Sequence, residues 1–271
     1  MVRSIYIGAS GRIGRLIRTL PQLQGAEILW ALRRPDPDLP DALIWPDLSD
    51  PSPLLSAARN GPIDTVFGFF RGALDGSGPS DTNLALATLD AARKAGVRQV
   101  LLASSSAVYG AGHAPYREED TCAPLSPYGA AKHAMEQAVA GVSGVTCLRI
   151  GNVAGADALM GGWRGGVVTL DINDEGRGPK RSYIGPMSLR DTLVHLAGLR
   201  GLPPVLNVGG APAVTMDALL DAAGITWRPR LDIAAARDIT LDCHRLAECC
   251  PQELIETSPD QIVAQWQRVR A

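Results

Sequence analysis

The first twenty residues constrain the fold of this chain most. An apolar strand over 4–7 runs directly into GASGRIG at 8–14, and Ile13, Leu16, Ile17 and Leu20 follow at helical spacing until Pro21. A glycine turn between a strand and a helix lets main-chain N–H groups approach a pyrophosphate at the positive end of that helix. Gly8, Gly11 and Gly14 supply the turn, with Ser10, Arg12 and Ile13 between them. Placed on the first strand of an alternating chain, the loop predicts dinucleotide binding.

The alternation continues. Strands expected at 27–32, 43–45, 65–70, 97–103 and 146–150 interleave with helices at 52–60, 82–95 and 126–140. Ser126 is placed as an N-cap with Pro127 at the first helical position, and Gly96 and Gly141 stand where helices stop. Strand-to-strand units of this length require right-handed crossovers, so the expected class is α/β, a doubly wound parallel sheet of Rossmann type. Residues 1–150 are read as the dinucleotide-binding domain, and 151–271 as a small C-terminal α/β part that mainly binds substrate. Segments around 181–208 are expected to return to the first domain. Helices are expected at 188–199 and 215–223, a strand at 205–208, and short helices and turns from 229 onward. Gly161, Gly162, Gly165 and Gly166 around Trp163 and Arg164 suggest an exposed loop or lid.

Charge and cysteine content exclude several classes. With 271 residues and a formal net charge of −2, the chain has neither a basic footprint for nucleic acid nor a polybasic membrane anchor. No apolar run approaches the roughly 18 residues of a membrane span. Five cysteines form no C-x-x-C pair. The odd count and the absence of a signal peptide in the first residues suggest reduced thiols and a cytoplasmic setting. Cys243, His244, Cys249 and Cys250 match no zinc spacing, so no metal is expected.

Two clusters carry chemistry. The second strand ends in Leu32-Arg33-Arg34 with no acid before Asp36. Arginine there suits the 2′-phosphate of NADP, whereas NAD usually meets a carboxylate, so NADP is preferred over NAD. Tyr128 and Lys132 lie four apart on one helix face, and Ser105 closes the preceding strand at the edge where open α/β sheets bind ligands. A free phenol, with a pKa of about 10, is a poor base near neutrality. A nearby ammonium favours the phenolate, so tyrosine can exchange a hydroxyl proton as hydride moves while serine holds the substrate oxygen.

GASGRIG, LLASSSAVYG and SPYGAAKHAMEQ together resemble the extended short-chain dehydrogenases/reductases, the NAD(P)-dependent nucleotide-sugar epimerase/dehydratase family. DLSD at 47–50, Asn83 and LRIGNVAG at 148–155 add to the likeness, which weakens beyond 155. The resemblance implies that Ser105, Tyr128 and Lys132 are catalytic, with Lys132 also on the nicotinamide ribose. It implies that Asp47 and Leu48 lie at the adenine, that Ser106 and Asn152 face a nucleotide-sugar substrate, and that Arg181 binds its diphosphate. It further implies a homodimer paired through helices 82–95 and 126–140.

Four departures accompany it. Ser106 and Ala107 stand where sugar dehydratases carry Asp-Glu, so water elimination lacks its carboxylates. GFFRGA replaces a His-x-Ala-Ala-like turn and brings Phe69, Phe70 and Arg71 near the cofactor's passage. Pro186-Met187-Ser188 replaces Val-Asp-Asp, and the chain is short in its substrate-binding part. The resulting expectation places epimerisation narrowly ahead of an NADPH-dependent ketone or keto-sugar reductase. A non-catalytic NADP sensor is the alternative from another class.

Overall fold

A computed structural model describes residues 1–110, 112–234 and 237–270. Its first half alternates as β1 (Val2–Ile7), α1 (Arg12–Arg18), β2 (Ala26–Leu32), β3 (Leu43–Ile44), α2 (Ser52–Arg59), β4 (Thr65–Gly68), α3 (Asp81–Lys94), β5 (Gln99–Ser105), α4 (Pro127–Ala138) and β6 (Val145–Ile150). The second half adds β7 (Asn152–Val153), β8 (Val168–Ile172), β9 (Lys180–Arg181), β10 (Tyr183–Ile184), α5 (Pro186–Gly198), β11 (Val205–Val208), β12 (Val214–Thr215), α6 (Met216–Ala222), β13 (Trp227–Leu231), α7 (His244–Cys249), α8 (Gln252–Ile255) and α9 (Pro259–Arg270).

Seven strands form one sheet in the order β11-β6-β5-β4-β1-β2-β3, every neighbouring pair parallel. The expected doubly wound α/β sheet is therefore present. Strand order reverses between β1 and β4, and the crevice beyond their carboxyl ends is where such sheets take ligands. Successive side chains of β1 pack into separate cores. Tyr6 joins Phe67, Leu101 and Leu148 beneath Leu189, Leu193 and Leu196 of α5. Ile5 joins Val66, Val100 and Leu102 beneath Leu54, Ala85, Ala91 and Met135. A third core, with Leu170, Tyr183, Leu219, Ile262 and Trp266, holds the C-terminal half together.

The expectations differ from the structure mainly at element ends and in the tail. β5 starts at Gln99 rather than 97 because Gly96, at φ +71°, turns the chain while Val97 N–H still bonds the Ala92 carbonyl at 2.9 Å. Residues 227–231 are a strand rather than part of a run of short helices and turns, paired in parallel with β8 from Trp227↔Val168 to Leu231↔Ile172. The tail also contains a 12-residue helix, α9, seated by Ile262, Val263 and Trp266. No helix among the described residues is long and apolar enough to cross a membrane.

Candidate active site

The glycine loop is shaped by backbone packing. Gly8 has φ +96°, and a Cβ there would meet the Phe69 carbonyl at the end of β4. A Cβ on Gly14 would meet the Gly8 carbonyl, so α1 lies against the turn that feeds it. Gly11 N–H closes the turn on Gly8 O at 2.9 Å. Gly11 is also the N-cap of α1, which has no side-chain cap and no acid in its first turn. The first N–H groups of a helix lack intrahelical partners, and here no side chain competes for them. This loop fits the diphosphate of a nicotinamide dinucleotide. Ser10 and Arg12 are exposed beside it and Ile13 is half-buried.

At the end of β2, Arg33 and Arg34 are exposed, and among the described residues neither has a hydrogen-bond or ion-pair partner. Asp36 is already paired with Arg18 at 2.9 Å. Asp47 accepts from Ser49 N–H at 2.9 Å and Ser49 Oγ–H at 2.7 Å, bonds that hold its carboxyl below the usual carboxylate range. Leu48 beside it is buried.

Ser105 is the last residue of β5, and its Oγ accepts from Ala107 N–H at 3.2 Å. Ser106 follows in a 3-10 turn over Ser106–Val108. Helix α4 starts as the sequence predicts, with Ser126 accepting from Gly129 N–H at 3.1 Å and Pro127 in the first turn. A Cβ on Gly129 would collide with the Ala107 carbonyl, so the first turn of α4 rests on the turn after Ser105. That contact brings the half-buried Tyr128 beside Ser105 at the end of β5, and the serine hydroxyl favours the phenolate.

One turn on, Lys132 is buried. Its Nζ donates to the Phe70 carbonyl at 3.0 Å and to Asp81 Oδ1 at 3.2 Å, and lies 6.0 Å from the Tyr128 ring centroid. The Lys132 and Asp81 side chains are 3% and 1% exposed. An ammonium has three protons, so one remains for a ligand. Burial lowers the Lys132 pKa, against the raising influence of Asp81. Burial raises the Tyr128 phenol and Asp81 raises it further, while the Ser105 hydroxyl and Arg71 oppose them. The Arg71 guanidinium stands 5.3 Å from the Tyr128 ring centroid.

Other candidates have different surroundings. Asn152 on β7 lies opposite Tyr183 of β10, whose hydroxyl donates to Asp157 at 2.6 Å. Asp157 also accepts from the N–H groups of Gly155, Leu159, Met160 and Gly161, which fixes the loop after β7. Arg181 donates to the carbonyls of Lys180 at 2.9 Å and Arg237 at 2.7 Å, so its guanidinium is partly committed to main chain. Trp163 packs with Arg270, whose guanidinium is 4.6 Å from its ring and 5.0 Å from that of Trp266. The glycine-rich loop is thus pinned to α9.

Asp81 carries no signal of its role in the sequence. An acid in the first turn of a helix looks like an ordinary response to the helix dipole, and its partner lies 51 residues away. Asn83, part of the family likeness, instead completes a capping box with Ser80. A second buried pair carries no such signal either. Glu136 receives Arg149 through Nη2 at 2.7 Å and Nε at 3.1 and 3.2 Å, and accepts from Ser104 as well. Among the described residues, the one cluster of metal-ligating types is Cys122, His133 and Glu136, and its carboxylate is committed to Arg149.

Residues 5–195 match the model of the NAD dependent epimerase/dehydratase family. The dTDP-6-deoxy-L-talose 4-dehydrogenase (NAD(P)(+)) of Kitasatospora kifunensis is 30% identical over 87% of this chain and 89% of its own length. Among solved structures, the UDP-glucose-4-epimerase of Stenotrophomonas maltophila with bound NAD superposes with TM-score 0.70 at 18% identity, covering 100% of this chain and 98% of that one. The UDP-glucuronic acid 4-epimerase of Bacillus cereus gives TM-score 0.71 at 16% identity, covering 99% of each chain. With a family match spanning the glycine loop, Ser105, Tyr128 and Lys132, the chain belongs to the NAD dependent epimerase/dehydratase family and is an NAD(P)-dependent enzyme of the extended short-chain dehydrogenase/reductase type.

Proposed function

We propose that this enzyme interconverts a hydroxyl and a ketone on the sugar of a nucleotide sugar, as a 4-dehydrogenase/4-ketoreductase of a dTDP-activated 6-deoxyhexose. The observation that carries the reading is Tyr128, set beside Ser105 at the end of β5 and one helical turn from a buried, ion-paired lysine. The near full-length relative named as a 4-dehydrogenase supports this direction of chemistry and moves reduction or oxidation ahead of epimerisation. Epimerisation is the second reading, favoured by the epimerases among the structural neighbours.

In this mechanism Tyr128 takes the sugar hydroxyl proton during oxidation and returns it during reduction. Ser105 holds the same oxygen. Lys132 would donate its remaining N–H to a ribose hydroxyl of the bound cofactor and so hold it against Tyr128. When bound, the nicotinamide accepts or donates the hydride. Gly8, Ser10, Gly11, Arg12, Ile13 and Gly14 cradle the diphosphate, and Asp47 and Leu48 border the adenine. Arg33 and Arg34, exposed and without an ion-pair partner among the described residues, support NADP over NAD. Ser106, Asn152 and Arg181 lie on the substrate side. Residues 1–150 bind cofactor, while 151–271 mainly bind substrate. The exposed Ala130, Ala134 and Ala138 of α4, with Leu86 of α3, form the face through which two copies pair.

The test is to supply dTDP-6-deoxy-L-talose with NADP or NAD and follow reduced cofactor. Stoichiometric reduction supports the dehydrogenase. An inverted sugar without net cofactor reduction would establish epimerisation instead.

A further inference from the structure

Tyr128 is faced by four charged or hydrogen-bonding groups from four elements. Ser105 comes from β5, Asp81 from α3, Lys132 from α4 itself, and Arg71 from the segment after β4. Farther along α4, Glu136 is occupied by Arg149, and Cys147 of β6 faces Lys132. The two cations near the phenol are not equivalent. Lys132 is locked in a buried ion pair at 3.2 Å with Asp81, so the pair presents little net charge to the tyrosine. One carboxylate oxygen, Asp81 Oδ2, is buried without a hydrogen-bond partner, while Oδ1 accepts from both Lys132 and the Gly72 N–H. Arg71 differs in both respects. It is exposed, it lies 5.3 Å from the ring centroid, and among the described residues no carboxylate pairs with it.

We infer that Arg71, rather than Lys132, supplies the net positive charge that favours the Tyr128 phenolate, making Arg71 a positioning residue that acts on the acid/base group by charge. The inference rests on the reading of Tyr128 as the acid/base. It assigns Lys132 mainly to holding the cofactor and the Phe70 segment, and it gives the GFFRGA departure a chemical purpose. The electrostatic influences on the phenol agree with this division, since Asp81 raises its pKa and Arg71 lowers it.

The test uses the full chain with its five tyrosines replaced biosynthetically by difluorotyrosine, a more acidic phenol followed by fluorine NMR. Tyr128→Phe assigns the resonance. Arg71→Gln is expected to raise the titration midpoint of that resonance and cut its phenolate population, at a fixed pH below the midpoint, roughly three- to tenfold. Arg71→Lys, which keeps the charge, restores most of it, as a merely steric role would not require. A resonance that titrates alike with arginine and glutamine at 71 would overturn the inference while leaving the acid/base reading intact. Full hydride-transfer activity in Tyr128→Phe would instead remove the acid/base reading itself.

Discussion

Replacing Asp81 with asparagine removes the charge that compensates Lys132 while preserving the shape of the site and an oxygen for the Gly72 N–H, which now bonds Asp81 Oδ1 at 2.9 Å. Both side chains are nearly inaccessible, at 3% and 1%. Breaking a buried pair by deleting one partner typically costs about 3–5 kcal/mol. Because asparagine retains an acceptor for the ammonium, about 3 kcal/mol is expected here. The pH dependence has a definite sign. Burial already lowers the Lys132 pKa and Asp81 opposes that shift, so Asp81→Asn lowers it further. Below the lowered folded-state pKa the lysine is charged, buried and unpaired, and the full cost applies. As pH rises through that pKa the amine neutralises, and the deficit relative to the unsubstituted protein shrinks. Urea unfolding midpoints measured from neutral to alkaline pH, with slopes compared to confirm a two-state transition, read this directly. A deficit below about 1 kcal/mol, the value of an exposed pair, or one that does not change with pH, would show that Asp81 does not hold Lys132 in a buried ion pair.

Gly8→Ala puts a Cβ against the Phe69 carbonyl at a φ of +96°, so NADPH affinity measured by fluorescence titration should fall at least about tenfold. Glu136→Gln leaves the buried Arg149 without its carboxylate, and chemical denaturation should show a loss of about 3 kcal/mol. Arg33→Ala with Arg34→Ala should weaken NADPH at least about tenfold while changing NADH by less than about twofold, measured by the same titration. Sedimentation should give a dimer, and Ala134→Arg, on the exposed face of α4, should give a monomer.

The parts legible in the sequence are those set by local chemistry. The N-cap at Ser126, Pro127 after it and the glycines at 8, 11 and 14 announce themselves because capping, the left-handed turn at Gly8 and the close backbone approach at Gly11 and Gly14 demand particular residue types. The strands buried on both faces, such as β4, announce themselves through continuous apolar runs. What stayed hidden depends on partners far along the chain. β13 reads WRPRL, five residues with a proline at the centre and four of them exposed, and is a strand only because β8 offers a parallel edge. Arg149 and Glu136 are charged residues in a buried strand and a helix, and only the fold brings them together. Asp81 and Arg71 are ordinary surface residue types until β4, α3 and α4 converge around Tyr128.

The most direct measurement compares the unsubstituted enzyme with Tyr128→Phe, following reduced cofactor during oxidation of dTDP-6-deoxy-L-talose and titrating cofactor affinity in parallel. The expected result is a rate lowered by roughly 10²–10⁴-fold with cofactor affinity nearly unchanged. A phenylalanine variant that turns over within about tenfold of the original would contradict the assignment of proton transfer to Tyr128.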